Sequence, residues 1–325
     1  MKIALVLGST GQDGSYMCDL LIKKNYKVYG LVRKSATGNT KHLKHIIDNK
    51  KVFEKKFFLV KGDLNDHSSI QNLIVKIKPN EIYNFADQDH VGWSFAIPSY
   101  SLMTTSHSLV NILETIRTSN NKIKYFHPLS SNMFGITKEK KQNENTTFNP
   151  QSVYAISKVT CYHLCNLYRN LYNLKIYNAI FYNHESPRRS EEYVTTKIVK
   201  HVCEIYQKRR KTLELGDITA KIDWGYAKEY VGYVQKIMQT KKPDVFIIAT
   251  GKSNSVKDFA EKCFQYVGLN YKKYLKTNKK FLRPSKTSIL VGDTTKIKKV
   301  INFKIEYNLD RIIKTMMDYE LENSK

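Results

Sequence analysis

Along the first half of the chain, short apolar runs alternate with stretches in which apolar positions recur every three or four residues. The runs Lys2–Leu7, Lys27–Val32, Phe57–Val60, Glu81–Phe85, Tyr125–Leu129 and Lys175–Tyr182 read as buried strands. Between them, Tyr16–Lys24, Ser68–Ile77, Leu102–Thr118 and Tyr154–Leu171 read as helices. This alternation predicts an α/β fold with a doubly wound parallel sheet, whose ligands bind beyond the carboxyl ends of the strands. After Asn183 the rhythm loosens. Helices are expected at about Tyr193–Arg209, Ser255–Val267 and Leu309–Asn323, with strands near Thr212–Leu215 and Val245–Ile248. The reading is of two domains: residues 1–182 carry the sheet, and residues 183–325 form a smaller C-terminal substrate-binding domain that partly rejoins it.

Composition changes this picture little. The chain carries 54 lysines and arginines against 29 acidic residues, a net charge of +25, but only nine of the basic residues are arginine. The lysines are scattered, as at Lys122, Lys124, Lys138 and Lys140, without a finger or zipper motif. A solvated lysine surface that attracts an anionic substrate fits this better than nucleic-acid readout, which favours arginine. The apolar run Ile3–Leu7 is too short to span a bilayer and lacks the flanks of a secretory signal. Five cysteines make no disulfide framework, so a cytoplasmic protein with reduced thiols and no membrane partner is expected. Cys161 and Cys165 share a helix face, but no second cluster completes a metal site, and a buried face is the simpler reading.

The chemistry begins at Gly8-Ser9-Thr10-Gly11-Gln12-Asp13-Gly14, directly after the first strand and opening the first helix. Glycines so spaced permit a tight turn and close packing, and the helix N-terminus then meets a pyrophosphate, the mark of a Rossmann-type dinucleotide site. The second strand ends in Arg33-Lys34 rather than an acidic residue, which suits the 2′-phosphate of NADP and makes NAD the lesser alternative. Asp63-Leu64 follows the third strand, where the adenine is expected, and Ala86 closes the fourth, near the cofactor's middle. Tyr154 and Lys158 stand four apart on one helix face, after a strand ending Leu129-Ser130-Ser131. An ammonium near a phenol lowers its pKa, so Tyr154 can exchange a proton with a sugar hydroxyl while Ser130 bonds the same oxygen. Hydride transfer between C–OH and C=O is the chemistry these parts suit.

With these residues in place, the chain resembles the GDP-mannose 4,6-dehydratases of the extended short-chain dehydrogenase/reductase superfamily. The resemblance rests on Gly8 to Tyr16, Arg33-Lys34-Ser35 with Asn39-Thr40, Asn183-His184-Glu185-Ser186-Pro187-Arg188-Arg189, Val194 to Lys197, Asp223 to Lys228, and Arg283-Pro284 with Val291-Gly292-Asp293. Carried over by position, it implies that Ser131, Asn183, Val194, Lys197, Trp224 and Arg283 hold a GDP-sugar. It also implies that His184 lies against the cofactor and that Ser130, Tyr154 and Lys158 carry the redox chemistry. The implied reaction gives a GDP-4-keto-6-deoxy sugar, and the implied assembly is a homodimer or homotetramer, the dimer formed through the helices at Leu102–Thr118 and Tyr154–Leu171.

Four positions depart from the family pattern, and one of them, Ser130 in place of a threonine, keeps the hydroxyl. Where the family has the glutamate that removes the C5 proton, this chain has Asn132, and an amide accepts no proton near neutral pH. Ile222 replaces an arginine, and Lys286 replaces a glutamate. Three readings therefore stay open. The base role can move to Asp87, Asp89, His90 or Glu185. Elimination can be lost, leaving a C4 dehydrogenase, 4-keto reductase or C4-epimerase. The chain can also bind nucleotide sugar and NADP without catalysis, though an intact Ser130, Tyr154 and Lys158 speaks against that.

Overall fold

The computed structural model describes residues 1–36, 38–281 and 288–323. Six strands, β1 (Ile3–Leu7), β2 (Lys27–Val32), β3 (Phe57–Lys61), β4 (Glu81–Asn84), β5 (Lys124–Ser130) and β6 (Lys175–Phe181), pair in parallel in the order 3-2-1-4-5-6. A further strand, Val245–Ile248, extends the sheet by pairing parallel to β6 from Val245 opposite Asn178 to Ile248 opposite Phe181. This is a doubly wound α/β sheet, whose order reverses between β1 and β4. A crevice opens there at the carboxyl ends.

Burial on both faces explains why the strands read as continuous apolar runs. One face packs Met17 and Leu21 of the first helix against Tyr230, Val234 and Ile237 of the helix Ala227–Ile237. The other face packs Ile70, Ile74, Leu109, Leu113, Cys161 and Cys165 from the helices His67–Ile77, Ser108–Ser119 and Val153–Leu171. A third cluster joins the helices Val194–Tyr206, Val256–Tyr266 and Leu309–Asn323 through Val202, Phe259, Ile312 and Met316. Among the described residues, no helix is long and apolar enough to cross a membrane.

Two helices depart from the pattern-based reading. The first starts at Gln12 instead of Tyr16, because its opening residues are buried on polar and backbone contacts rather than in apolar core: Gln12 bonds the His184 carbonyl, Ser15 the Gln12 carbonyl, and Gly14 packs on Gly8. The stretch expected as one helix over Leu102–Thr118 is interrupted. A helical turn at Pro98–Leu102 leads into a π-helical segment, Met103–His107, before Ser108–Ser119. Within that wide turn the Thr105 carbonyl accepts the Cys161 thiol at 3.6 Å, and the Ser108 hydroxyl bonds the Thr104 carbonyl at 2.6 Å.

At the opposite, amino-terminal end of the sheet, Glu81 is 1% accessible and accepts from the Tyr83 hydroxyl at 2.6 Å, Lys2 at 3.0 Å and Gln239 at 3.1 Å. Replacing it by Gln keeps the shape but returns one acceptor oxygen as a donor. Glu81→Gln is expected to cost about 1–3 kcal/mol in urea unfolding, with little change in activity.

Candidate active site

Gly8 leaves β1 with φ +73°, and a Cβ there would lie 2.3 Å from the Phe85 carbonyl oxygen. A Cβ on Gly14 would lie 2.1 Å from the Gly8 carbonyl oxygen. Only glycine satisfies both approaches. Gly11 is looser: its Cβ would meet the Gly8 oxygen at 3.5 Å, an ordinary contact. The Gly11 amide bonds the Gly8 carbonyl at 3.0 Å across Ser9 and Thr10, and the helix beyond it has no side-chain cap. The result is a bare, glycine-lined helix N-terminus at the reversal of the sheet order, which fits a dinucleotide pyrophosphate. Arg33 and Lys34 are exposed past β2, where Arg33 donates to the Tyr100 hydroxyl at 2.9 Å. Leu64 is buried with Leu31 and Ile70, whereas the Asp63 carboxylate accepts the Asn65 amide at 2.9 Å. The Ala86 amide lies directly against Gly8, so the loop after β4 borders the same turn.

Beside this turn, Ser130, Ser131, Asn132, Tyr154 and Lys158 line a cleft of about 210 Å³. Ser152 caps the helix that carries Tyr154 and Lys158, accepting the Ala155 amide at 3.1 Å. The Lys158 ammonium is buried and donates to Asp87 at 2.6 Å and to the Pro128 carbonyl at 2.9 Å. Asp87 also accepts from Asn84 at 2.8 Å. The Asn84 amide faces His127 Nδ1 at 3.3 Å, which places the His127 proton on Nε2, 3.4 Å from Asp87. Burial lowers the His127 pKa to about 4, so the imidazole is neutral. Burial opposes the charge on Lys158, but Asp87 overrides it and holds the ammonium firmly protonated.

Tyr154 differs from expectation. Burial raises its pKa, and the pull of Lys158 and the Ser130 hydrogen bond offset this only in part, so the phenol titrates above its ordinary value. The physical reason is burial of the phenol, to which the Asp89 and Asp87 carboxylates add in the same direction. Asn132 donates from its side chain to the Ser130 hydroxyl at 3.2 Å, so it orients that hydroxyl.

The segment after β6 closes the site from the other side. Both ring nitrogens of His184 face acceptors, Nδ1 the Tyr182 carbonyl at 2.8 Å and Nε2 the Asp13 carboxylate at 2.8 Å. Burial disfavours the imidazolium, yet Asp13 outweighs it and raises the His184 pKa, while His184 holds the Asp13 carboxyl below its usual range against the same burial. Gln12 bonds the His184 carbonyl at 3.2 Å and the Ser186 hydroxyl at 2.7 Å. Glu185 accepts from Thr195 at 2.6 Å, and the Arg189 guanidinium lies 3.5 Å from Glu185 and stacks 3.4 Å over the Tyr193 ring.

Of the remaining sequence-derived residues, Asn183 and Val194 line the cleft. Lys197 sits further out, over the Phe281 ring at 3.6 Å. Trp224 is 2% accessible and packs on Phe259, so it supports the wall and does not face the cleft. Its neighbour Asp223 explains the surrounding motif, clamping Thr250, Gly251 and Gly292 through their backbone amides at 2.9, 2.9 and 3.3 Å. Arg283 and Lys286 lie outside the described residues. Sequence reading did not foresee the His127 and Asn84 partners of Asp87, nor the Arg189–Tyr193 stack. His127 and Asn84, polar residues on otherwise apolar strands, were the signal for the first, and nothing in the pattern marked the second.

A family model described as GDP-mannose 4,6 dehydratase matches residues 5–316. The chain is 41% identical over 329 residues to GDP-mannose 4,6 dehydratase 1 of Arabidopsis thaliana, covering 100% of this chain and 91% of that protein. Its fold is similar to that of dTDP-glucose 4,6-dehydratase from Bacillus anthracis in complex with NAD, with a TM-score of 0.85 at 19% identity over 100% of this chain and 98% of the other. It is also similar to RMD from Pseudomonas aeruginosa complexed with NADPH, with a TM-score of 0.81 at 15% identity over 99% of each chain.

Two outcomes follow from the site's packing. Gly14→Ala forces the Gly8 turn apart and should weaken NADP binding at least tenfold in calorimetry, with the fold retained. His184 should titrate by NMR above its ordinary value of 6.5, and below it in Asp13→Asn, where burial persists without the counter-charge. The stability that His184 contributes is fully present below pH 6.5 and is lost as pH rises through its raised folded value, so the wild-type advantage over Asp13→Asn narrows toward alkaline pH.

Proposed function

The chain belongs to the GDP-mannose 4,6-dehydratase family, and we propose that it is an NADP-dependent enzyme that dehydrates GDP-mannose, or a related GDP-heptose, to the GDP-4-keto-6-deoxy sugar. The observation that carries this reading is the convergence of Ser130, Tyr154 and Lys158 on one cleft that opens onto the glycine turn. Ser130 and Tyr154 hold the C4 hydroxyl between them, and Tyr154 takes its proton as C4 becomes a ketone. Bound NADP supplies the hydride acceptor at C4 and the donor at C6. Lys158, fixed by Asp87 and the Pro128 carbonyl, keeps a positive charge beside the phenol throughout. Arg33 and Lys34 suit the cofactor's 2′-phosphate. Asn183, Val194 and Lys197 lead outward from the cleft and suit the nucleotide, while Lys221 on the cleft wall adds charge for the diphosphate.

The protein is read as a cytoplasmic homodimer, with a homotetramer as the larger form. Ile156, Leu167 and Leu171 are exposed along one helix, beside exposed Trp93 and Met103, an apolar face of the kind a second copy covers. Its five free cysteines are all buried, in keeping with a reducing compartment.

The Asn132 amide supports a second reading, C4 oxidation without elimination, because it offers hydrogen bonds but no proton acceptor. Incubation with GDP-mannose and NADP in deuterated water separates the two. A product lighter by one water, with deuterium at C5 and no net NADPH, is expected. NADPH accumulation without water loss would establish a C4 dehydrogenase instead. In either case Tyr154→Phe should lower turnover by about 10²–10⁴-fold.

A further inference from the structure

Loss of water from C5 and C6 of a 4-keto sugar needs a group that takes a proton from carbon. The amide at position 132 cannot be that group. Five carboxylates line the cleft: Asp13, Asp87, Asp89, Glu185 and Asp223. Four of them are committed. Asp13 is bonded to His184 at 2.8 Å, and Asp87 to Lys158 at 2.6 Å. Glu185 is 1% accessible and bonded to Thr195 at 2.6 Å, while Asp223 accepts from Thr250 and Gly251. Each would have to break a buried ion pair or hydrogen bond before it could reach a substrate, a cost of several kcal/mol.

Asp89 differs. It is exposed at the cleft mouth on the loop after β4, no ion pair holds it among the described residues, and the hydrogen bond that its carboxylate takes from the Tyr193 phenol lies at an exposed position rather than in the core. Its backbone is fixed, since its carbonyl accepts the Tyr193 hydroxyl at 3.2 Å. Its carboxylate lies within electrostatic reach of Tyr154, the residue assigned to the C4 oxygen, and of Arg189, stacked on Tyr193. The neighbouring groups are poorer bases. His90 uses Nδ1 to accept the Trp93 amide at 3.1 Å, and burial pushes the Tyr193 phenol far up.

We propose that Asp89 is the catalytic base that removes the C5 proton. The assignment rests on the dehydratase reading given above. Asp89 takes the proton from C5, and the electron pair of that C–H bond forms the C5=C6 bond as the C6–O bond breaks. The departing hydroxide leaves as water with the proton that Asp89 has taken. When hydride returns to C6, a solvent proton passes through Asp89 to C5, so deuterium from the solvent appears there.

The test compares wild type, Asp89→Asn and Asp89→Glu, each loaded with NADP and given GDP-mannose in deuterated water. Water loss, C5 deuterium and nicotinamide absorbance are followed, and thermal unfolding establishes that the variants fold. Asp89→Asn is expected to lose water elimination and C5 exchange by about 10²–10⁴-fold. C4 oxidation should continue in it, so that reduced nicotinamide accumulates where wild type shows none. Asp89→Glu should recover part of the elimination. Elimination in Asp89→Asn within about threefold of wild type overturns the assignment while leaving the dehydratase reading intact. An equal loss of oxidation and elimination also overturns it, because Asp89 then only binds the sugar. A wild type that reduces NADP without losing water removes the dehydratase reading itself, and the base with it.

Discussion

The buried contact between Lys158 and Asp87 is the constraint on which the site's geometry turns. It ties three separate pieces of the chain together: the helix carrying Tyr154, the loop after β4, and the end of β5 through the Pro128 carbonyl. An ammonium with no counter-charge in this environment would have to shed its proton or drag water inward, and breaking such a pair typically costs about 3–5 kcal/mol. Asp87 in turn is held by Asn84 and faces Nε2 of the neutral His127 at 3.4 Å, so polar groups surround the pair. Tyr154 therefore projects into the cleft from a helix that cannot easily rotate.

A second set of contacts gives the crevice its other wall. The polar start of the first helix and the segment after β6 are far apart in sequence yet hold each other, Gln12 to His184 and Ser186, and Asp13 to the His184 ring. Arg188 continues the join, donating to Ser15 at 3.0 Å and stacking on the Tyr16 ring at 4.1 Å. The side chains that make the cofactor turn distinctive thus act largely on the opposite wall, and none of them caps the start of the helix. This division explains why so polar a helix start is buried. It also couples the cofactor end of the crevice to the segment that leads into the C-terminal helices.

The sheet was legible because its strands are buried on both faces, and continuous apolar runs such as Lys27–Val32 admit no other packing. Gly8 and Gly14 were legible because their spacing reflects two backbone approaches that no side chain survives. Tyr154 and Lys158 stood out by helical spacing after a strand. What the sequence hid was which polar residue meets which. Asp87 was one of four candidates for the base role, and only the folded chain shows it pinned to Lys158. Trp224 was a ligand contact by resemblance, but the carboxylate that shapes that motif is Asp223, acting on the distant backbone amides of Thr250, Gly251 and Gly292. Long-range pairings of this sort leave no periodic trace.

The compensated charge beside Tyr154 bears on how the chemistry divides. A phenol held above its ordinary pKa is protonated at neutral pH, so proton transfer from the C4 hydroxyl depends on positive charge brought close to it. Lys158 alone does not provide enough of it, since burial of the phenol outweighs its pull. The oxidised nicotinamide carries a positive charge, and its arrival would lower the proton affinity of Tyr154 when an oxidant is present to use it. Proton transfer and cofactor binding are then linked by electrostatics, and the protein without cofactor keeps its phenol neutral. Asn132 fits the same economy of charge: an amide beside Ser130 orients the hydroxyl without adding a negative charge next to a phenol that already resists ionisation.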